Sequence, residues 1–221
     1  MPNHPSTEPR TPVTRERVLR AAIRLADEGG IESLSMRKLG QELRLKAPMS
    51  LYNHVANKGD LLDAMVDVVV SEIEVPSVGA DWKAAMRQRA ISAHQVLLRH
   101  PWASLLMVSR VNVGPAMLRY VDSTIGSLRE AGFSIEVADR AWNAMDSHIY
   151  GFTLQKLNFP FAGEEVPEAT KNLLPLAPPA RYLYLNEMGR HAMGRGYSGM
   201  PEFEFGLDLV LDALERLLDR A

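Results

Sequence analysis

Apolar positions recur along most of the chain with the three-and-four spacing of a helix, and no segment alternates convincingly as a strand would. Thr14 is placed to cap a first helix whose apolar face is Val18, Leu19, Ala22, Ile23, Leu25 and Ala26, ending at Gly29-Gly30. Ser35 can cap a short second helix with Leu39 and Leu43 four apart. Pro48 suits the first turn of a third, one to two turns long near Met49–His54. Asn57 marks a fresh start, followed by a long helix through Leu61, Leu62, Met65, Val66, Val69 and Ile73 to Glu74. Pro76 and Gly79 break the pattern, and Asp81 can cap the next helix, through Trp82, Met86, Ala90 and Leu97 to about Arg99. Pro101 opens another, interrupted at Gly114-Pro115, and a further helix closes at Gly132. Ser134 caps a strongly periodic stretch containing Ala138, Trp142, Met145, Ile149 and Phe152. A loop over Asn158–Pro167, two helical pieces around Pro175–Pro179, a loop over Gly194–Pro201 and a last helix complete the pattern. That last helix carries Leu207, Val210, Leu211, Leu214, Leu217 and Leu218. The expected fold class is therefore all-α, with a short-helix unit at residues 13–58 and a larger helical domain at 59–221.

Composition narrows the function classes. Of 221 residues, 46% are hydrophobic and 24% charged, which excludes wholesale disorder. Cysteine is absent, which removes disulfides, zinc fingers, iron–sulfur clusters and a thiol nucleophile. No apolar run approaches the ~18 residues of a membrane span. Residues 1–12 are polar and Pro-rich and read as a disordered arm with no secretion signal, so a cytoplasmic location is expected. The net charge of −2 is unevenly spread: residues 10–58 hold ten Lys or Arg against five Asp or Glu, while the rest of the chain is acidic. A basic segment on an acidic body suits contact with a polyanion.

Geometry makes that suggestion specific. Three short helices followed by a long one is the layout of a helix-turn-helix, in which one helix braces on the duplex backbone and the next lies in the major groove. Here the pair is Met36–Leu43 and Pro48–His54, with Arg44-Leu45-Lys46-Ala47 as the turn. The run Ile31–Leu39, then Pro48-Met49-Ser50-Leu51-Tyr52-Asn53-His54-Val55 and Asn57-Lys58-Gly59-Asp60-Leu61-Leu62, resembles the DNA-binding domain of the tetracycline-repressor family. The resemblance is strong over residues 14–67 and generic beyond them.

It implies a ligand-responsive, sequence-specific DNA-binding transcriptional regulator, most simply a repressor released from a palindromic operator when a small molecule binds. Ser35 would meet a phosphate, and Arg37 the backbone and a base edge. Ala47, Pro48, Met49 and Ser50 would face base edges, with Lys46 and Asn53 in the same DNA-facing set. Tyr52, His54 and Lys58 would reach phosphates. Tyr52 could instead pack on the first helix, and His54 could simply be an exposed helix end. Where the family usually has glycine after Leu43 this chain has Arg44; a positive φ there would cost roughly 1 kcal/mol, which a phosphate contact could offset.

Two copies of the chain are expected to pair through the 134–157 and 202–219 helices, with Ile149, Leu207, Val210, Leu211, Leu214 and Leu218 at the interface. Packing within one subunit is the alternative for that stripe. An effector pocket would draw on Trp82, Met86, His94, Trp102, Met107, Met117, Trp142, Met145, His148 and Phe152, since methionine and aromatic side chains make adaptable apolar cavities, though they equally fill an ordinary core. Val108-Ser109 stand near where the resemblance would place a metal-holding histidine, so neither a metal nor a cofactor is expected. No nucleophile elbow, phosphate loop or HExxH spacing is present, and Asp146 and His148 sit two apart on different helix faces, so an enzyme is not expected. A helical interaction protein that no longer binds DNA is the remaining alternative.

Overall fold

The computed structural model describes residues 13–45, 47–77, 79, 81–160, 165–194 and 202–219, and all regular structure among them is helical. In chain order the helices are α1 (Arg15–Gly29), α2 (Met36–Glu42), α3 (Lys58–Val70), α4 (Trp82–Arg99), α5 (Pro101–Ser109), α6 (Pro115–Glu130), α7 (Ile135–Asn158), α8 (Val166–Leu173), α9 (Leu183–Ala192) and α10 (Phe203–Leu218). Short 3-10 segments lie at Ile31–Ser33, Pro48–Asn53 and Leu174–Leu176. Among the described residues no helix is long and apolar enough to cross a membrane. The expected arm at 1–12 and most of the loop at 194–201 lie outside the described residues.

Side chains at the helix starts explain where the elements begin. Thr14 accepts from the Arg17 amide at 3.2 Å, Ser35 from Lys38 at 3.2 Å, Asn57 from Asp60 at 3.0 Å and Ser134 from Val137 at 3.3 Å. Asp81 accepts from Ala84 at 3.1 Å. Each satisfies one of the amides a helix start leaves open, worth about 1 kcal/mol. Gly30 closes α1 at φ 73°, a backbone conformation that few side chains tolerate.

The chain divides into two compact units, residues 1–72 with 99–118, and residues 73–98 with 119–221. The first thus extends past the boundary at 58 drawn from the sequence and takes in a second, distant segment. Its core is built from Val18, Ala22 and Ile23 of α1, Leu39 of α2, Leu51, Leu61, Met65 and Val69, with Trp102 and Ala103 of α5. Polar groups fasten the distant segment. The Trp102 indole donates to Asp27 at 2.7 Å, and His100 Nδ1 lies 2.8 Å from the same oxygen. Arg110 donates to Asp63 at 2.7 Å, and Asp67 accepts the amides of Ala116 and Met117 at 2.9 and 3.0 Å, so α3 caps the start of α6. Gly114 lies so close to the Asp67 side chain that a Cβ there would collide with it.

In the second unit α7 packs on α10, and Met86, Leu97, Leu128, Ala138, Met145, Ile149, Leu207, Leu211 and Leu214 are buried. Lys83 of α4 reaches Asp212 and Glu215 of α10 at 2.7 Å each, and Arg87 reaches Asp208 at 3.0 Å and Glu204. These pairs are partly exposed and align the helices more than they stabilise them.

Two elements differ from expectation. The third helix is 3-10 rather than α, because Ser50 returns both its amide (3.1 Å) and its hydroxyl (2.8 Å) to the Ala47 carbonyl, tightening the turn. The long helix α3 ends at Val70 instead of Glu74: the Ser71 hydroxyl donates to the Val68 carbonyl at 2.6 Å and terminates it, although Ile73 is still buried.

Candidate nucleic-acid interface and effector region

The turn of the helix-turn-helix is set by Arg44. It is the one non-glycine residue at positive φ among those described, at 53°. Its amide donates to Gln41 at 2.9 Å while the Leu45 amide donates to Gly40 at 2.9 Å, the paired bonds that close a helix when the next residue turns left-handed. The position is one glycine fills without strain. Arg44→Gly is therefore expected to raise stability by up to about 1 kcal/mol. It should also weaken DNA binding by removing an exposed cation. Urea unfolding and duplex titration of the same variant check both signs.

Most of the groups expected to meet DNA are exposed. Ser35, Arg37, Arg44, Ala47, Asn53 and Lys58 are exposed, as are Met49 at 71% and Tyr52 at 45%, while Ser50 and His54 are half-buried. Lys46, and the Pro48 side chain, lie outside the described structure. Tyr52 is therefore not sealed against α1. The Ser35 hydroxyl accepts its own helix amide and keeps its proton to donate. The His54 carbonyl is held by Arg15 at 3.0 Å, which pins the end of the 3-10 helix to α1. Ion pairs take up Arg15, Arg20 and Arg24. Among the described residues none takes up Arg37, Arg44 or Lys58, so these three remain available to phosphates.

The residues nominated for an effector pocket do not converge. Trp102, Met107 and Met117 are corrections: they belong to the first unit. There Trp102 is committed to Asp27 and the Met117 amide to Asp67. Met86 and Met145 are fully buried core of the second unit, and Trp82 packs edge-on against Phe133 at 5.0 Å. His94, His148 and Phe152 gather around Phe203. The His94 ring stacks on Phe203 at 4.3 Å, and His148 Nε2 lies 2.9 Å from the Phe203 carbonyl. Thr153 donates its only proton to the Ile149 carbonyl at 2.6 Å, so His94 Nδ1, 2.7 Å from the Thr153 hydroxyl, is the donor between them. Desolvation, then the nearby positive charge of Lys156 and His148, lowers the His94 pKa to about 4. Both histidines are thus engaged structurally.

Two features escaped the sequence reading. One is Arg89, wholly buried on α4 and paired with Asp146 of α7, which also accepts from the Tyr150 hydroxyl at 3.2 Å. The signal was present: Arg89 and Asp146 are charges set on otherwise apolar helix faces, beside Met86 and Ala90, and beside Met145 and Ile149. The other is a cavity of about 320 Å³ between α8 and α9, lined by apolar residues including Val166, Leu174, Leu185 and Met188, and by none of the nominated residues.

The dimer stripe also needs correction. Ile149, Leu207, Leu211 and Leu214 are buried within the chain, leaving Val210 and Leu218 half-buried. The apolar groups α10 leaves at the surface are Phe205, Leu209 and Leu217, with exposed Ala213 completing a four-residue repeat. On α7 the exposed small residues Ala144, Ser147 and Gly151 form a comparable stripe.

Comparison with known proteins agrees with this architecture. The family model for the tetracyclin repressor-like C-terminal domain matches residues 75–218. DrrR1, an HTH-type transcriptional repressor of Streptomyces coeruleorubidus, is 30% identical over 97% of this chain and 82% of its own. Tetracycline repressor protein class D of Escherichia coli is 29% identical over 93% of this chain and 94% of its own. Among solved structures, the TetR family protein ActR of Streptomyces coelicolor in complex with actinorhodin superposes with a TM-score of 0.79 at 25% identity, covering 92% of this chain and 96% of that one.

Proposed function

Since the chain belongs to the tetracycline-repressor family, we propose that it is a ligand-responsive repressor that binds a palindromic operator as a homodimer and releases it when a small molecule occupies the C-terminal unit. The observation that supports this reading is that Arg37, Arg44 and Lys58 of the short-helix unit are exposed and outside any ion pair among the described residues, and that Met49 and Tyr52 are exposed too. A 3-10 helix of six residues presents Ala47, Met49 and Ser50 at its start, where side chains of a recognition helix meet base edges. Apolar Met49 and Ala47 suit the methyl groups of thymine. Two-fold pairing comes from the outward stripe Phe205, Leu209, Ala213 and Leu217 of α10 with the small residues of α7, which permit close helix approach. A palindromic operator requires that pairing to hold the two recognition helices about one DNA turn, ~34–36 Å, apart. DNA binding sets the place of action, the cytoplasm where chromosomal DNA lies.

The relative ActR has been seen with a small molecule, actinorhodin, and ligand response in this chain is read by analogy with it. Linkage then fixes the regulatory arithmetic. A ligand that lowers operator affinity by some factor is bound that much more weakly by the DNA-bound protein.

Selection of bound sequences from random duplex DNA at a stated moderate salt tests the reading. A palindrome with half-sites about one turn apart is expected; weak, salt-sensitive binding without a motif would defeat it. On the selected operator, Lys58→Ala is expected to weaken binding about tenfold for all sequences and to reduce the salt slope by about 1. Tyr52→Phe should weaken it more modestly through the lost hydroxyl. Unchanged affinity and slope in both would remove these two residues from the interface.

A further inference from the structure

Helices α8 and α9 pack on one another, and the 3-10 turn Leu174–Leu176 follows directly on α8 in the connection between them. The cavity of about 320 Å³ lies here, with Phe159 at the end of α7 as a further wall. Two contacts hold its frame. Asn186 of α9 is buried, and its side-chain amide donates to the carbonyls of Ala177 at 2.6 Å and Tyr182 at 2.9 Å, which fastens the connection back onto α9. Gly189 lets α9 lie against Leu174, where a Cβ would stand 2.7 Å from the leucine Cδ1. Ala177, Leu174 and Gly189 all line the cavity, so defined contacts shape it. Leu173, Leu185 and Met188 line it too and stay exposed, which gives it an apolar mouth.

The lining decides what can enter. Among the described residues no charged side chain contributes to it, and the Thr170 hydroxyl is its one polar side-chain group. The charges of α8 lie elsewhere: Glu168 and Lys171 are exposed and pair with each other at 3.5 Å. A carboxylate or ammonium in the cavity would lose its hydration without gaining a partner. Water is a poor occupant as well, since a buried water is held by about three polar groups. An apolar hollow of about 150 Å³ stays dry and takes up benzene, so one twice as large suits roughly two rings. A second chain laid flat across the mouth would cover Leu173, Leu185 and Met188 but leave the volume beneath them empty, and the atoms around it short of contacts. A small apolar molecule fills that volume and covers the same three side chains.

We propose that the cavity between α8 and α9 is the effector site, and that it takes an uncharged, apolar molecule of roughly two rings. This rests on the ligand-responsive reading above and adds the place and the chemical class of the ligand. Acetylnaphthalene, naphthoate and naphthylmethylammonium share one ring frame and differ in carrying a neutral carbonyl, an anion or a cation. Each is titrated calorimetrically into the full chain near neutral pH. The methyl resonance of Met188, assigned by its loss in Met188→Leu, is followed in parallel.

Acetylnaphthalene is expected to bind about tenfold tighter than either ion. It should also move the Met188 resonance while leaving those of the core residues Met86 and Met145 in place. Ala177→Phe puts a ring into the hollow from the connection and should abolish binding. Met188→Glu changes an exposed side chain, so the fold is retained. It should weaken acetylnaphthalene about tenfold and narrow the gap to the ammonium. Sedimentation of Met188→Glu should show the same oligomeric state as the wild type; dissociation would assign the mouth to a second copy and overturn the proposal. Equal binding of the three probes, preference for either ion, no acetylnaphthalene binding up to its solubility limit, or unchanged affinity in both variants would each overturn it too. These readouts use no DNA, so a selected operator that persists beside such a failure keeps the regulator reading intact. Failure to select any operator would instead count against that reading.

Discussion

Asp146→Ala is expected to destabilise the protein by about 3–5 kcal/mol, because it strands the Arg89 guanidinium as an unpaired charge in a dry interior. Tyr150 loses its acceptor in the same change. Removing both charges should cost far less. Arg89→Met with Asp146→Leu replaces the pair by apolar volume, and such replacements are often neutral or stabilising. Urea unfolding of the wild type, both single variants and the double variant, at one protein concentration, gives the coupling energy directly. A loss below about 1 kcal/mol for Asp146→Ala would mean that water reaches Arg89 and that the site is not dry.

The second large effect is a pH dependence at His94. Its folded pKa of about 4 lies below the ordinary 6.5, so the unfolded chain takes up a proton there before the folded one does. Stability from the neutral, stacked ring is complete above pH 6.5 and is lost as pH falls from 6.5 towards 4, by up to about 3 kcal/mol. The ring lies against Phe203 and Phe152, and its burial and the nearby Lys156 and His148 all disfavour the imidazolium. His94→Phe keeps the stacking and removes the titration. The wild type should lose more stability than this variant between pH 6.5 and 4; parallel curves would show that His94 protonates freely in the folded state.

What the sequence discloses here is what is local. Thr14, Ser35, Asn57 and Ser134 cap helices within three residues of themselves, and the strain at Arg44 follows from one missing glycine. The short-helix unit that carries the proposed DNA contacts is legible for the same reason, since its elements follow one another closely in the chain. The surroundings of the buried polar side chains are not, because their bonds span long separations: Trp102 with Asp27, and Arg89 with Asp146. Periodicity marks an apolar face but not its neighbour, so α5 reads as part of the larger domain while its tryptophan is fastened to α1. Helix α10 is ambiguous in another way. It is apolar on two faces, Phe203, Leu207, Leu211 and Leu214 inward and Phe205, Leu209 and Leu217 outward, and one wide stripe in the sequence cannot say which is which.

The discontinuity of the first unit has a bearing on protein engineering. Its core contains Trp102 and Ala103, and its α3 is gripped through Asp63 and Asp67 by residues 110–117. A hybrid regulator made by grafting residues 1–58 or 1–72 onto another relative's sensor would pair α1 and α3 with a foreign 99–118 segment. Asp27 would then lose Trp102 and His100, and Asp67 the amides it caps. The transplantable cassette is two pieces of chain, 1–72 and 99–118, and splice points chosen at 72/73, 98/99 and 118/119 keep every one of those bonds within a single parent.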